Sequence, residues 1–200
     1  MPGELLAALG EARDVVLSGH AVHALDAGGS LRLGPPESGL WLTADDLARL
    51  PVRSRGIAVL AACSSGQPSM AVPQESVGLP TALMGMGFSA VVASLWPVRD
   101  SVAFVTLARF LQVRAQDPSL REEEALRQTR RWLRTATTGD LEAWVDGLAS
   151  EVRFETRPVE HLRQSWRDYP DLMHPVPYAD PRDWAAFFCV GTSAQGSAER

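Results

Sequence analysis

Between residues 56 and 98 the chain carries one charged side chain, Glu75. Two short apolar runs lie inside that stretch, Ile57-Ala58-Val59-Leu60-Ala61-Ala62 and Ala90-Val91-Val92-Ala93-Ser94-Leu95. Runs of this length between Gly and Pro breakers have no polar face to offer water. They predict strands covered on both sides, as in a parallel sheet. Val15-Val16-Leu17-Ser18 predicts a third strand, and Ala186-Phe187-Phe188-Cys189-Val190, stopped by Gly191, a fourth.

Helical patterns alternate with these runs. Residues 43–50 open with Thr43 as N-cap and end before Pro51. Residues 76–86 space Val77, Leu79, Leu83 and Met84 on one side, with Gly85 and Gly87 as the stop. Residues 101–116 start from Ser101 as cap and carry Val102, Val105, Phe110 and Val113. Residues 121–134 set Glu122, Glu123 and Glu124 in the first turn and four arginines later, in line with the helix dipole. Leu5, Leu6 and Leu9 predict a helix before the first strand. Residues 118–177 are richer in charge and hold Trp132, Trp144 and Trp166. They read as a helical excursion packed on the sheet, with a further helix at 140–150 and prolines 170, 175, 177 and 181 in the connection that follows. The alternation predicts one α/β domain over residues 1–192, with helices on both faces, and a polar, disordered tail at 193–200.

Composition excludes several classes of function. With 46% hydrophobic and 22% charged residues, 200 residues suffice for an ordinary core without a metal or disulfide staple. Nineteen basic residues, all arginine, stand against twenty-four acidic ones for a net charge of −5. An acidic chain without a clustered basic face argues against nucleic-acid binding. No apolar run is long enough for a membrane span, and Met1-Pro2-Gly3-Glu4 lacks the basic start of a secretory signal. Two thiols, Cys63 and Cys189, are too few for a disulfide framework and fit a reducing cytoplasm.

Open parallel sheets gather ligands at the carboxyl ends of their strands. His20 follows the first predicted strand there, and Cys63 ends the 57–62 run. If the two strands are parallel neighbours, both side chains emerge at one edge. An imidazole beside a thiol raises its thiolate fraction, so Cys63 could attack a carbonyl while His20 handles the leaving-group proton. Ser64-Ser65-Gly66-Gln67-Pro68 turns the chain away from the sheet, which favours an exposed sulfur. On spacing alone, a cysteine beside an apolar run is more often a packed core thiol.

Five segments, in order, resemble the motifs of the CHAT domain, a bacterial caspase-like family related to separases. They are Asp14-Val15-Val16-Leu17-Ser18-Gly19-His20; Glu37-Ser38-Gly39-Leu40-Trp41-Leu42 with Leu47; Val59-Leu60-Ala61-Ala62-Cys63-Ser64-Ser65-Gly66; Gly78-Leu79-Pro80 with Gly87 and then Ala93-Ser94-Leu95-Trp96-Pro97-Val98-Arg99-Asp100; and Asp180-Pro181-Arg182-Asp183-Trp184-Ala185-Ala186-Phe187 with Gly191. The resemblance spans most of the chain. It implies a caspase-like three-layer sandwich, with a mostly parallel sheet between helices. Only residues 1–13 precede the histidine strand, so it also implies a sheet without the family's usual first two strands. The 15–18 strand is then an exposed edge, or is covered by a second copy or by a sensor or repeat-domain partner.

The same resemblance implies a Cys–His dyad peptidase acting on protein or peptide substrates without a cofactor, with Cys63 as nucleophile and His20 as acid and base. The oxyanion would be held by the backbone N–H groups of Cys63 and Ala21. The family usually has Gly at the second position, and Ala keeps the N–H while resisting positive φ. Asp100 falls where separases carry an acidic S1 residue, implying cleavage after Arg or Lys; capping the next helix is its alternative role. Trp96 walls that pocket or packs under the sheet edge. A non-catalytic interaction module on the same fold is the first alternative function. A flavodoxin-like or nucleotide-binding module is the second, although Ser18-Gly19-His20-Ala21-Val22-His23 is a poor phosphate loop.

Other features read blandly. Gly85-Met86-Gly87-Phe88-Ser89-Ala90 matches a dinucleotide fingerprint but follows a helix and precedes a strand, the reverse of what that motif needs. His20 and His23 have ligand spacing without a completing cluster, so no metal is expected. His161 and His174 read as solvated, Glu75 as a helix N-terminal carboxylate, and Cys189 as a packed strand thiol.

Overall fold

The computed structural model describes residues 2–22, 30–32, 39, 41–62, 78–151, 156–167 and 176–191. Four strands form the main sheet: β1 (Val15–Ser18), β5 (Arg55–Ala61), β6 (Phe88–Ser94) and β7 (Phe187–Gly191), in the order β1-β5-β6-β7. β1 and β6 flank β5 in parallel, and β7 closes the order antiparallel to β6. These are the four runs expected from the sequence, except that Gly191 is the last residue of β7 and not its stop.

Alternation along the strands sends side chains into two cores. Val15, Leu17, Ala58, Leu60, Val91 and Ala93 meet α1 (Pro2–Glu11), α2 (Ala44–Ala48) and α3 (Leu79–Gly85) through Leu9, Leu47 and Leu83. Ile57, Val59, Ala90 and Val92 meet α4 (Asp100–Gln116) and α5 (Glu122–Thr135) through Leu107, Phe110, Ala125 and Leu126. Each such Val, Leu or Ile contributes about 1.5–3 kcal/mol when fully buried. The result is a three-layer α/β sandwich. On β1 only the first face is covered: Val15 and Leu17 are buried, while Val16 is 55% exposed. Among the described residues β1 pairs with β5 alone, so it stands at the sheet edge.

A second sheet, absent from the sequence expectations, consists of the antiparallel strands β2 (His20–Val22), β3 (Ser30–Arg32) and β4 (Trp41–Thr43). Its Leu31 and Leu42 join the first core. Thr43 then caps α2 as expected: its hydroxyl accepts from Asp46 N–H, and the Asp46 carboxylate accepts from the Thr43 N–H.

Three helix starts differ from expectation. α3 begins at Leu79 after Gly78, because Pro80 fits only the first turn; Ser76 and Val77 lie outside the described residues. α4 begins at Asp100, with extended Arg99 as its N-cap residue, so neither Ser101 nor Asp100 is the cap. Within the excursion, α6 (Thr138–Glu151) starts two residues earlier than expected, behind a reciprocal Thr137–Asp140 pair. The 12-residue α7 (Thr156–Arg167) and the short α8 (Pro181–Trp184) were not anticipated. A third core joins these helices to α4 and α5 through Val102, Val105, Leu133, Leu141, Leu162, Trp166 and Tyr178.

Candidate active site

The carboxyl ends of β1, β5 and β6 lie side by side. Ser18 pairs with Ala61 in the parallel register, and the Gly19 N–H extends that ladder by donating to the Ala61 carbonyl at 3.4 Å. At Gly19 the chain leaves the main sheet for the small one. A Cβ there would sit 2.4 Å from the Arg32 carbonyl oxygen, so only glycine lets β1 run directly into β2 beside β3. His20 is the next residue, opposite Arg32, with its side chain exposed. Ala21 follows in β2, opposite Leu31.

On the neighbouring strand Ala61 is followed by Ala62, which is buried. The hydroxyl of Ser94, itself fully buried at the end of β6, donates to the Ala62 carbonyl at 2.8 Å. This strap holds the chain one residue before Cys63. Sequence reading passed over Ser94 and Gly19. The signals available were a lone hydroxyl ending an apolar run and a glycine squeezed between two strands. Cys63 lies outside the described residues, as do His23, Glu75 and His174 and the side chain of His161.

Beyond β6, the Leu95 N–H donates to the Ala186 carbonyl at 2.8 Å and leaves the Leu95 side chain exposed. Trp96 packs against the second core, and its indole N–H donates to the Arg182 carbonyl at 2.8 Å. Asp100 sits in the first turn of α4, exposed, without a hydrogen bond or ion pair among the described residues. The buried acid nearby is Asp183, which accepts from the Arg99 guanidinium at 2.7 Å. Burial pushes its carboxyl up, outweighing the pull of Arg99.

The other thiol lies within a strand. Cys189 lies half-buried in β7 opposite Val92. Burial, aided by Glu122 and Glu123, pushes its thiol up to about 11, so it stays protonated at neutral pH. Among the described residues no group of His, Cys, Asp and Glu could hold a metal, and no helix is long and apolar enough to cross a membrane.

The chain is a mixed α/β sandwich with a mostly parallel sheet, a class that commonly builds its sites at strand termini. The chain matches the CHAT domain over residues 2–192 and belongs to that family, which is associated with caspase-like peptidases. None of the curated proteins matches it.

Proposed function

We propose that this CHAT domain is a cysteine endopeptidase in which Cys63 and His20 form a catalytic dyad. The observation that carries the reading is the Ser18–Ala61 register. His20 follows Ser18 by two residues and Cys63 follows Ala61 by two, at the same end of adjacent parallel strands. The exposed imidazole of His20 is open to a peptide.

In this mechanism the Cys63 thiolate attacks the scissile carbonyl carbon. The backbone N–H groups of Cys63 and Ala21 stabilise the oxyanion that forms. The intermediate collapses as His20 gives its proton to the departing amine, leaving a thioester on Cys63. His20, now neutral, takes a proton from water as it attacks that thioester, and the acid product leaves with Cys63 restored. Leu95 and Trp96 offer an apolar wall for the substrate, and the unpaired carboxylate of Asp100 offers a partner for Arg or Lys at P1.

Cleavage of Arg- or Lys-containing reporter peptides tests the reading. Cys63→Ala is expected to abolish cleavage while the circular dichroism spectrum and unfolding midpoint stay unchanged. Cleavage that survives in Cys63→Ala overturns it.

A further inference from the structure

The outward side of α5 closes over a cleft of about 190 Å³ lined by Arg127, Arg130, Arg131, Arg134 and, from α8, Trp184. The four arginines stand at i, i+3, i+4 and i+7, one above another on a single helical face. Like charges at that spacing repel, and the chain around them is acidic overall, with a net charge of −5. Concentrating four guanidinium groups there is unfavourable unless an anion offsets them.

The protein supplies little of that offset among its described residues. Glu124 pairs with Arg127 at 2.5 Å, and its carboxyl is held below the usual range by hydrogen bonds from Arg127 and Gln128. Asp180, which caps α8, is held by Arg182, and Asp183 by Arg99, so neither acid is free for the cleft. Arg134 lies 5.8 Å from the Trp184 ring centre, a cation–π contact that leaves its charge uncompensated. Arg130 donates to the Phe187 carbonyl, and its Nε is buried without a hydrogen-bond partner. Burial also lowers the Arg130 pKa, the sign of a cation held in a poorly solvated place. Arg131 shares the field of Glu124 with Arg127 but forms no direct ion pair among the described residues.

We propose that this cleft binds a small phosphoanion, either a free oligophosphate or the phosphate chain of a nucleotide. Guanidinium forks match phosphoryl oxygens two at a time. Arg131 and Arg134, about 4.5 Å apart along the axis, present two forks side by side to a linked di- or triphosphate. A cleft of this volume has room for a compact anion. Trp184 stands at the rim, where a nucleoside ring could stack.

Calorimetric titration of the full chain at about 0.15 M salt tests this with pyrophosphate, ATP, adenosine and an oligoglutamate peptide. Pyrophosphate and ATP are expected to bind and adenosine to give no heat. The exposed-site double variant Arg131→Gln, Arg134→Gln should weaken both by roughly tenfold or more with an unchanged circular dichroism spectrum. Equal affinity for pyrophosphate and ATP assigns the site to the phosphate chain alone; tighter ATP assigns it to a nucleotide. Either result upholds the proposal. Absent pyrophosphate binding, unchanged affinity in the double variant, or oligoglutamate binding that pyrophosphate does not displace overturns it.

Discussion

Ser94 shows how much of this site depends on groups that never touch substrate. Its buried hydroxyl satisfies the Ala62 carbonyl, one residue from the proposed nucleophile. Ser94→Ala leaves a buried acceptor unmade, a loss of about 1–3 kcal/mol. The expected outcome is a lower unfolding midpoint in urea and a lower kcat with KM little changed, because the strap holds Ala62, the residue before the proposed nucleophile, and not the peptide. Asp100 belongs at the opposite pole, exposed and unpaired. Asp100→Asn keeps the shape and removes the charge. Cleavage after Arg or Lys should fall about tenfold to a hundredfold, the value of one charge-assisted hydrogen bond, while cleavage after an uncharged P1 residue holds. His20 and Cys63 stood out by their places after predicted strands and by the match to CHAT motifs, and Cys189 was read from its apolar run as a packed strand thiol, which its half-buried place in β7 bears out. Ser94 was not legible, because a serine at the end of an apolar run looks like any strand terminus until the carbonyl it faces is known.

At the scale of elements, β5 is tied to α1 by a single side chain. Arg55 is buried, and its guanidinium donates to the carbonyls of Leu9, Gly10 and Ala12 at 3.0, 2.7 and 2.6 Å, and more weakly to those of Met86 and Pro51. The cation thereby satisfies the open carbonyls at the α1 C-terminus, where the helix dipole is negative. Arg55→Met keeps the apolar stem but abandons those carbonyls. It is expected to destabilise the fold by about 2–4 kcal/mol, read as a drop in the urea midpoint at constant m. The long elements were legible because their pattern is strong: seven-residue β5 and β6 are apolar on both faces, as a doubly covered strand must be. The three-residue strands β2, β3 and β4 carry too few residues for a period to register. Helix ends were misjudged where a backbone condition overrode the side chain. Arg99 is extended and so becomes the N-cap residue of α4 despite Ser101 and Asp100 beside it.

For the whole molecule, two cores flank the main sheet and a third joins the helices beside it, and the proposed dyad residues follow the carboxyl ends of β1 and β5 in sequence. The two thiols provide an internal comparison. Cys189 is half-buried against the core that includes α5, and burial pushes its thiol up to about 11. A thiol activated by an imidazole titrates well below the ordinary value of about 8.5. The rate of iodoacetamide labelling at each cysteine, followed by mass spectrometry from pH 5 to pH 10, therefore tests the dyad most directly. Cys63 should label first and already react near neutral pH, with its profile moving to higher pH in His20→Ala, while Cys189 stays slow throughout. A Cys63 profile that is unchanged by His20→Ala, or that is as slow as Cys189, would contradict the account.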